Sequence, residues 1–126
     1  MEHSPPARRW RPRSVEAKNY ADLLIVLNRF EETSSLLRRM IPVARRVFGD
    51  NDSLTLVMRK QHAQSLYRPK NATLDDIREA VTTLEDTART IRRVLGGAHP
   101  ETPWVEHHLR NARAALHARE TPPGSA

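Results

Sequence analysis

The sequence predicts an all-α protein, and three observations support this prediction. From Ser14 to about Glu120 the apolar residues recur every three or four positions, the period of an amphipathic helix. Glycine and proline stand in the gaps between these periodic segments, and no five-residue window alternates as a half-buried strand does. The length of 126 residues, with 29% charged and 38% hydrophobic residues, fits one soluble domain.

Start and stop signals divide this domain into five helices, at about 14–27, 30–48, 53–67, 73–95 and 100–119. Gly49 ends the second helix, Asp52 caps the third, and Thr73 with Asp76 forms a capping box before the fourth. Pro42 lies inside the second helix, where apolar positions continue on both sides of it. We therefore expect Pro42 to bend this helix without ending it.

The two ends of the chain are expected to lie outside the helical domain of residues 14–119. Residues 1–13, MEHSPPARRWRPR, carry four arginines against one glutamate, and their three prolines oppose a helix. This segment is predicted to be a disordered basic arm, and residues 120–126 a disordered tail.

Two stretches of the domain repeat each other. ARRVFGDNDSLT from Ala44 and IRRVLGGAHPET from Ile91 place an arginine, a glycine and a threonine 47 residues apart. NYADLL from Asn19 matches QHAQSL from Gln61 at an offset of 42, and the five extra residues fall in the loop RPKNA. Two helices per period predict a right-handed α-solenoid of antiparallel hairpins: two repeats and a C-terminal capping helix.

The second of these stretches resembles the tetratricopeptide repeats of the kinesin-light-chain type. In that family the turn reads Leu-Gly, two residues, His-Pro, one residue, Thr, and Leu95, Gly96, His99, Pro100 and Thr102 match it. The first copy keeps only the glycine and the threonine. The hairpin linker NYADLLIVLNRFEET also follows the family pattern, with Asn28 in place of a glycine at a left-handed helix end.

The pattern also predicts how the helices pack. Small residues permit close approach of the helices, and leucines supply the contacts between layers. The small residues are Ala21, Thr33, Ala63 and Ala80, and the leucines are Leu24, Leu37, Leu66 and Leu84. Arg110 stands where Ala63 stood one repeat earlier, which is typical of a terminal capping helix. Glu85 with Arg89, and Glu106 with Arg110, are spaced as surface pairs within one helix.

The resemblance implies that the first helix of each hairpin lines a concave peptide-binding groove. Its residues would be Lys18, Asn19, Asp22, Lys60, Gln61, Gln64, His107, His108 and Asn111. The amides would bond a peptide backbone, and Lys18 with Lys60, at one repeat position, would favour an acidic peptide. An ordinary solvated helix face is the alternative interpretation of the same residues.

Several classes of protein are disfavoured. The chain has no cysteine, no phosphate-binding glycine loop, no serine elbow and no carboxylate pair placed at a cleft, so we expect no enzyme and no cofactor. The adjacent His107 and His108 point about 100° apart on a helix, so we expect no metal site. No apolar run of about 20 residues and no signal segment occurs, so we expect a cytoplasmic protein with no membrane partner.

The sequence therefore predicts a non-enzymatic scaffold that binds a peptide or partner protein. The alternative is a basic helical nucleic-acid-binding protein, suggested by the net charge of +6 and by Trp10 within the arginine-rich arm. The scaffold is preferred because the helix arginines repeat in register with the hairpins.

The first helix carries more apolar surface than one hairpin covers, at Tyr20, Leu23, Leu24 and Leu27, so self-association or partner docking is expected there.

Overall fold

The computed structural model describes residues 6–121, and this part of the chain is all-helical. The helices are α1 Pro6–Val26, α2 Phe30–Phe48, α3 Ser53–Tyr67, α4 Leu74–Val94 and α5 Glu101–Glu120. The bounds of α2 and α3 are those predicted, and α2 continues through Pro42. Short connections reverse the chain between consecutive helices. Within residues 6–121, no helix has a segment long and apolar enough to cross a membrane.

Each helix packs against the next one in the chain, and α3 also packs against α1 and α5. The helices α1, α3 and α5 therefore form one layer, named here the three-helix layer, with α3 at its centre. The helices α2 and α4 lie against one side of this layer, and within residues 6–121 no Cα atom of one lies within 8 Å of a Cα atom of the other.

The core has two parts, one on each side of α3. Ala21, Leu37 and Met58 lie in the part between α1, α2 and α3, and Leu84 and Val105 lie in the part between α3, α4 and α5. Truncating a fully buried leucine such as Leu84 to alanine costs about 2–5 kcal/mol. The small residues predicted to permit close approach are all fully buried, at Ala21, Thr33, Ala63 and Ala80.

The structure differs from the sequence prediction at the N-terminus. Helix α1 begins at Pro6, so residues 6–13, expected in a disordered arm, are helical, and residues 1–5 lie outside the described residues. Pro6 is tolerated at the helix start because the first amides have no helical acceptor, and Pro12 removes only the bond to the carbonyl of Arg8. Arg11 adds tertiary contacts, because its guanidinium lies 2.8 Å from Asp52 and 4.5 Å from the centre of the Phe48 ring.

The C-terminus differs less. Helix α5 extends to Glu120, one residue beyond the predicted domain, and Thr121 follows it. The guanidinium of Arg119 donates to the carbonyl of Ala72 at 2.6 Å, which fixes the last turn of α5 to the loop before α4. The remainder of the predicted tail, residues 122–126, lies outside the described residues.

The turns contain residues with a positive backbone φ angle at the positions where the sequence predicts them. Asn28 has φ of 59°, and Gly49 and Gly96 have φ of 93° and 97°. Asparagine is the residue that most often replaces glycine in this conformation. Beyond Gly96, the hydroxyl of Thr102 donates to the Gly96 carbonyl at 2.7 Å. The turn motif of the second copy therefore forms its own hydrogen bonds.

Asp52 and His99 occupy the same repeat position, and they make the same bond. The carboxylate of Asp52 accepts the amide of Leu54 at 2.9 Å, and Nδ1 of His99 accepts the amide of Glu101 at 3.0 Å. Each acceptor therefore satisfies an amide at the start of the following helix, which would otherwise have no helical partner. The change from His to Asp in the first copy keeps this function.

The predicted surface pairs within α4 and α5 are replaced by pairs between the two helices. Glu85 binds Arg113 at 2.9 Å, and Glu106 binds Arg92 with both oxygens at 2.9 and 3.0 Å. The predicted partners, Arg89 and Arg110, are spaced correctly within their helices. Spacing within one helix did not identify the actual pairs. Because α4 and α5 lie side by side, Arg113 lies close to Glu85 and Arg92 lies close to Glu106.

We predict that Asp52→Ala lowers the free energy of unfolding by about 0.5–2 kcal/mol, because α3 loses its cap. Asp52→Asn keeps an acceptor oxygen and loses only the exposed pair with Arg11, so a loss of about 0.2–1 kcal/mol is expected. Urea denaturation measures both. Equal losses in the two variants would show that the ion pair, and not the cap, carries the effect of Asp52.

Candidate functional site

The nine predicted groove residues all lie in the three-helix layer, but their exposure differs between helices. On α1 and α5 most of them are exposed, at Asn19, Asp22, His107 and Asn111, with Lys18 and His108 half-buried. On α3 all three are buried, at Lys60, Gln61 and Gln64. The site is therefore accessible along its two outer helices, and its central row is used in contacts within the protein.

Gln61 connects α3 to α1. Its side chain is 1% exposed, and Nε2 donates to the carbonyl of Lys18 at 2.9 Å and to Oδ1 of Asp22 at 2.7 Å. Its Oε1 is buried without a hydrogen-bond partner within the described part of the chain. Gln61 therefore holds Asp22 in place, and one carboxylate oxygen of Asp22 is committed to this bond.

His108 lies 47 residues after Gln61, and it connects α5 to α3 in the same way. Its Nδ1 lies 2.8 Å from the hydroxyl of Tyr67. Burial, followed by the electrostatic effects of Lys60, His107 and Arg68, lowers the pKa of His108 to about 4. The imidazole is therefore neutral at pH 7 and shares one hydrogen bond between Nδ1 and the hydroxyl of Tyr67.

The sequence predicted that the ammonium group of Lys60 is available to an acidic peptide, but in the structure this group is paired within the protein. Its Nζ lies 2.6 Å from a carboxylate oxygen of Glu101, and both side chains are largely buried. Glu101 stands in the first turn of α5, next to α3, and this tertiary neighbour was not visible in the sequence. The equivalent Lys18 is more accessible, and its Nζ lies 3.7 Å from Asp22 and 3.5 Å from Asn19. The positive charge available to a ligand is therefore smaller than expected.

An aromatic and polar cluster lies along α5. His107 contacts Asn111 through Nε2 at 3.1 Å, and Trp104 meets His107 edge to face with ring centres 6.4 Å apart. Trp104 is 58% exposed. A large exposed indole beside hydrogen-bonding groups is a frequent feature of binding surfaces.

Sequence reasoning missed Tyr67, Trp104 and Glu101. A signal existed for the two aromatic residues. Tyr67 follows Gln64 by three positions and Trp104 precedes His107 by three, so each shares a helix face with a predicted groove residue. No local signal existed for Glu101, because its partner lies 41 residues away.

Comparison with protein-family models, with curated proteins and with solved structures finds no match for this chain.

The stability of the protein is predicted to fall as the pH is lowered from about 6.5 to about 4. The folded pKa of His108 is about 4 and its ordinary value is 6.5, so in this window the unfolded chain binds more protons. Burial also lowers the pKa of His62, which adds to the effect with the same sign. Urea denaturation at pH 7 and pH 5 measures the difference.

The variant His108→Gln should show a smaller loss of stability between pH 7 and pH 5 than the parent. His117 is exposed near the end of α5, and His117→Gln is the matched control that keeps the full loss. An unchanged loss in His108→Gln would contradict the account of this histidine as a buried neutral group.

Proposed function

We propose that the protein is a non-enzymatic interaction scaffold that binds an extended peptide segment of a partner across the three-helix layer. The observation that supports this most is the pattern of exposure. The groove residues of α3, Lys60, Gln61 and Gln64, are buried, while Asn19 and Asp22 on α1 and His107 and Asn111 on α5 are exposed on either side. In this proposal α3 forms the floor of a groove, and α1 and α5 form its walls.

The repeat supports the same proposal. The 47-residue period, the hairpin order of the helices and the hydrogen bonds of the turn from Gly96 to Thr102 fit a short solenoid of the tetratricopeptide type. In such arrays the first helices of the hairpins form one layer, as α1, α3 and α5 do here. In this proposal the row of hairpins curves so that the three-helix layer is on its concave side. The separation of α2 from α4 on the opposite side fits this curvature.

The chemistry of the walls suggests how the peptide is recognised. Asn19, Asn111 and the Nε2 of His108 are neutral groups suited to peptide amides and carbonyls. Lys18 is one accessible cation, and Trp104 offers an apolar surface at the far wall. We infer that the ligand is bound mainly through its backbone, with one carboxylate near Lys18 and one apolar side chain near Trp104.

The probe for this proposal is a peptide selected from a random 12-residue library displayed on phage, with the immobilised 126-residue chain as target. We predict that Asn111→Ala together with Trp104→Ala weakens its binding about tenfold or more by calorimetry, because both groups stand on the α5 wall. Both side chains are exposed, so the double variant should fold.

The matched control is Ser35→Ala together with Arg46→Ala, two exposed residues of α2 on the opposite side of the molecule. This control should bind the peptide as the parent does. Equal affinities of the parent and the α5 variant, or an equal loss in the control, would contradict the placement of the groove.

Nucleic-acid binding is the alternative, and one observation favours it. Arg8, Arg9 and Arg13 are exposed on one stretch of α1, and within residues 6–121 no carboxylate lies within ion-pair distance of them. Against it, other arginines neutralise carboxylates inside the fold, including Arg59, Arg92 and Arg113. We expect a fluorescein-labelled single-stranded oligonucleotide to show no binding at 50 mM salt; tight binding that weakens steeply with salt would favour the alternative.

A further inference from the structure

Exposed apolar side chains are concentrated at α1. Within the described residues, five of the seven large exposed hydrophobic side chains lie between residues 15 and 27: Val15, Tyr20, Leu23, Val26 and Leu27. Leu23 and Leu27 are 52% and 55% exposed. Isolated exposed leucines are ordinary, but a cluster marks an interaction surface.

Leu27 and Arg9 mark the side of α1 that faces away from α3. Gln61 of α3 bonds to the carbonyl of Lys18 and to the carboxylate of Asp22, so these residues lie on the side nearest α3. Leu27 follows Lys18 by nine positions, and nine steps of about 100° lead to the opposite side of a helix. Arg9 precedes Lys18 by nine positions and lies on this opposite side as well.

Helix α2 runs back along α1, and the order of the two helices determines which residues lie side by side. The guanidinium of Arg11, in the first half of α1, lies 4.5 Å from the centre of the Phe48 ring at the end of α2. Nine residues later on α1, Tyr20 lines a cavity together with Arg39 of α2. Arg39 is nine residues before Phe48, so the two helices stay in step over this length.

The same order brings two further arginines together. Arg13 is two positions after Arg11, and Arg46 is two positions before Phe48. Arg13 and Arg46 therefore lie at the same level of the two helices, and both are exposed. Arg46 follows Arg39 by seven positions, so these two arginines share one face of α2.

The outer side of α1 and α2 is therefore one surface, named here the first-hairpin edge. Its basic half carries four exposed arginines, Arg9, Arg13, Arg39 and Arg46. Within the described residues no carboxylate lies within ion-pair distance of any of them. Its apolar half carries the exposed side chains of Tyr20, Leu23 and Leu27.

A cavity of about 560 Å³ lies between α1 and α2 in the apolar half. Tyr20, Leu24 and Leu36 supply apolar walls, and Glu31 and Glu32 also line it. Both glutamates are exposed in the first turn of α2. The first-hairpin edge therefore has arginines at one end, and apolar side chains with two carboxylates at the other.

The corresponding side of the second hairpin is covered by helices. Helices α1 and α2 both pack against α3. Within residues 6–121, no helix packs in this way against the side of α1 that faces away from α3. A helix is therefore the kind of element that the fold itself places on this side of a hairpin.

We propose that the first-hairpin edge binds an amphipathic helix of a partner protein that is acidic at one end and basic at the other. The acidic end lies over the four arginines, and the basic end lies over Glu31 and Glu32. Its apolar side chains enter the cavity and cover Leu23 and Leu27. From Arg9 to Leu27 the edge rises over about 27 Å, so a helix of about 18 residues covers it.

The charges of the edge favour this occupant over a uniformly acidic one. A nucleic acid or an anionic bilayer would meet the arginines, but it would also meet Glu31 and Glu32, and like charges repel. A nucleic acid would in addition leave Leu23 and Leu27 uncovered. A helix whose charges are sorted along its length satisfies both ends of the edge and buries the leucines.

Two synthetic peptides of about 18 residues test the proposal. Both have leucines at intervals of three and four and the same numbers of glutamates and lysines. In the sorted peptide the glutamates occupy one half and the lysines the other, whereas in the mixed peptide they alternate. Calorimetry should show that the sorted peptide binds the 126-residue chain about tenfold more tightly than the mixed peptide does.

Variants of the protein test the basic half of the edge. Arg13→Glu together with Arg39→Glu should weaken binding of the sorted peptide about tenfold or more, with the helical circular dichroism of the parent. Arg38→Glu together with Arg93→Glu is the matched control, because both arginines are exposed outside the edge and the net charge changes equally. This control should bind the sorted peptide as the parent does.

The variant Leu23→Ala together with Leu27→Ala separates a docking helix from a ligand held by charge alone. It should also weaken binding of the sorted peptide about tenfold, because both leucines are buried under the helix. A labelled oligonucleotide whose tight binding is lost in the Arg13 and Arg39 variant, but kept in the leucine variant, would assign the edge to nucleic acid and overturn the proposal.

Three further results would overturn it. They are equal affinities of the sorted and mixed peptides, an equal loss in the control variant, and a dimer of the parent that the leucine variant dissociates, since a second copy would then cover the edge. The variant Asn111→Ala with Trp104→Ala should bind the sorted peptide as the parent does, because both residues lie on α5. Failure at the first-hairpin edge is therefore distinguishable from failure of the groove across the three-helix layer.

Discussion

The burial of α3 among the four other helices is the constraint on which the arrangement of the protein depends. Eleven of its fifteen residues are buried, and they include Lys60, Gln61, Gln64 and Ser65. A buried polar group is costly unless it is bonded. Lys60 is bonded to α5 and Gln61 to α1, so these side chains fix which residues of α1 and α5 can lie beside α3. Apolar packing alone would tolerate several alignments of these helices.

The repeat in the sequence becomes a repeat of contacts between neighbouring helices of the three-helix layer. Two ion pairs lie between these helices, Arg11 with Asp52 and Lys60 with Glu101, although the residues of the two pairs do not match at the repeat offsets. Each acid stands at the start of a helix, where negative charge is favourable. Gln61 and His108, at one repeat position, each bond to the preceding helix of the layer. The positions predicted to bind a ligand thus also join the repeats to one another.

What the sequence predicted well is encoded locally. The bounds of α2 and α3, the left-handed Asn28 and the cap at Asp52 depend on residues within one turn of each other, and such signals are visible without a fold. The helical start of α1 was missed because the three prolines among residues 1–13 argue against a helix, whereas Arg11 gains contacts with Asp52 and Phe48 that are about 40 residues away. The pairing of Lys60 with Glu101 was missed for the same reason, and with it the reduced positive charge of the predicted groove residues.

Hydrogen exchange in the folded protein tests the central position of α3 most directly. If α3 holds the two parts of the core together, its amides between residues 57 and 66 should exchange only through global unfolding, more slowly than those of any other helix. The amides of α1 and α5, which each border α3 on one side, should exchange faster. Amides of α4 that remain protected after those of α3 have exchanged would contradict this account.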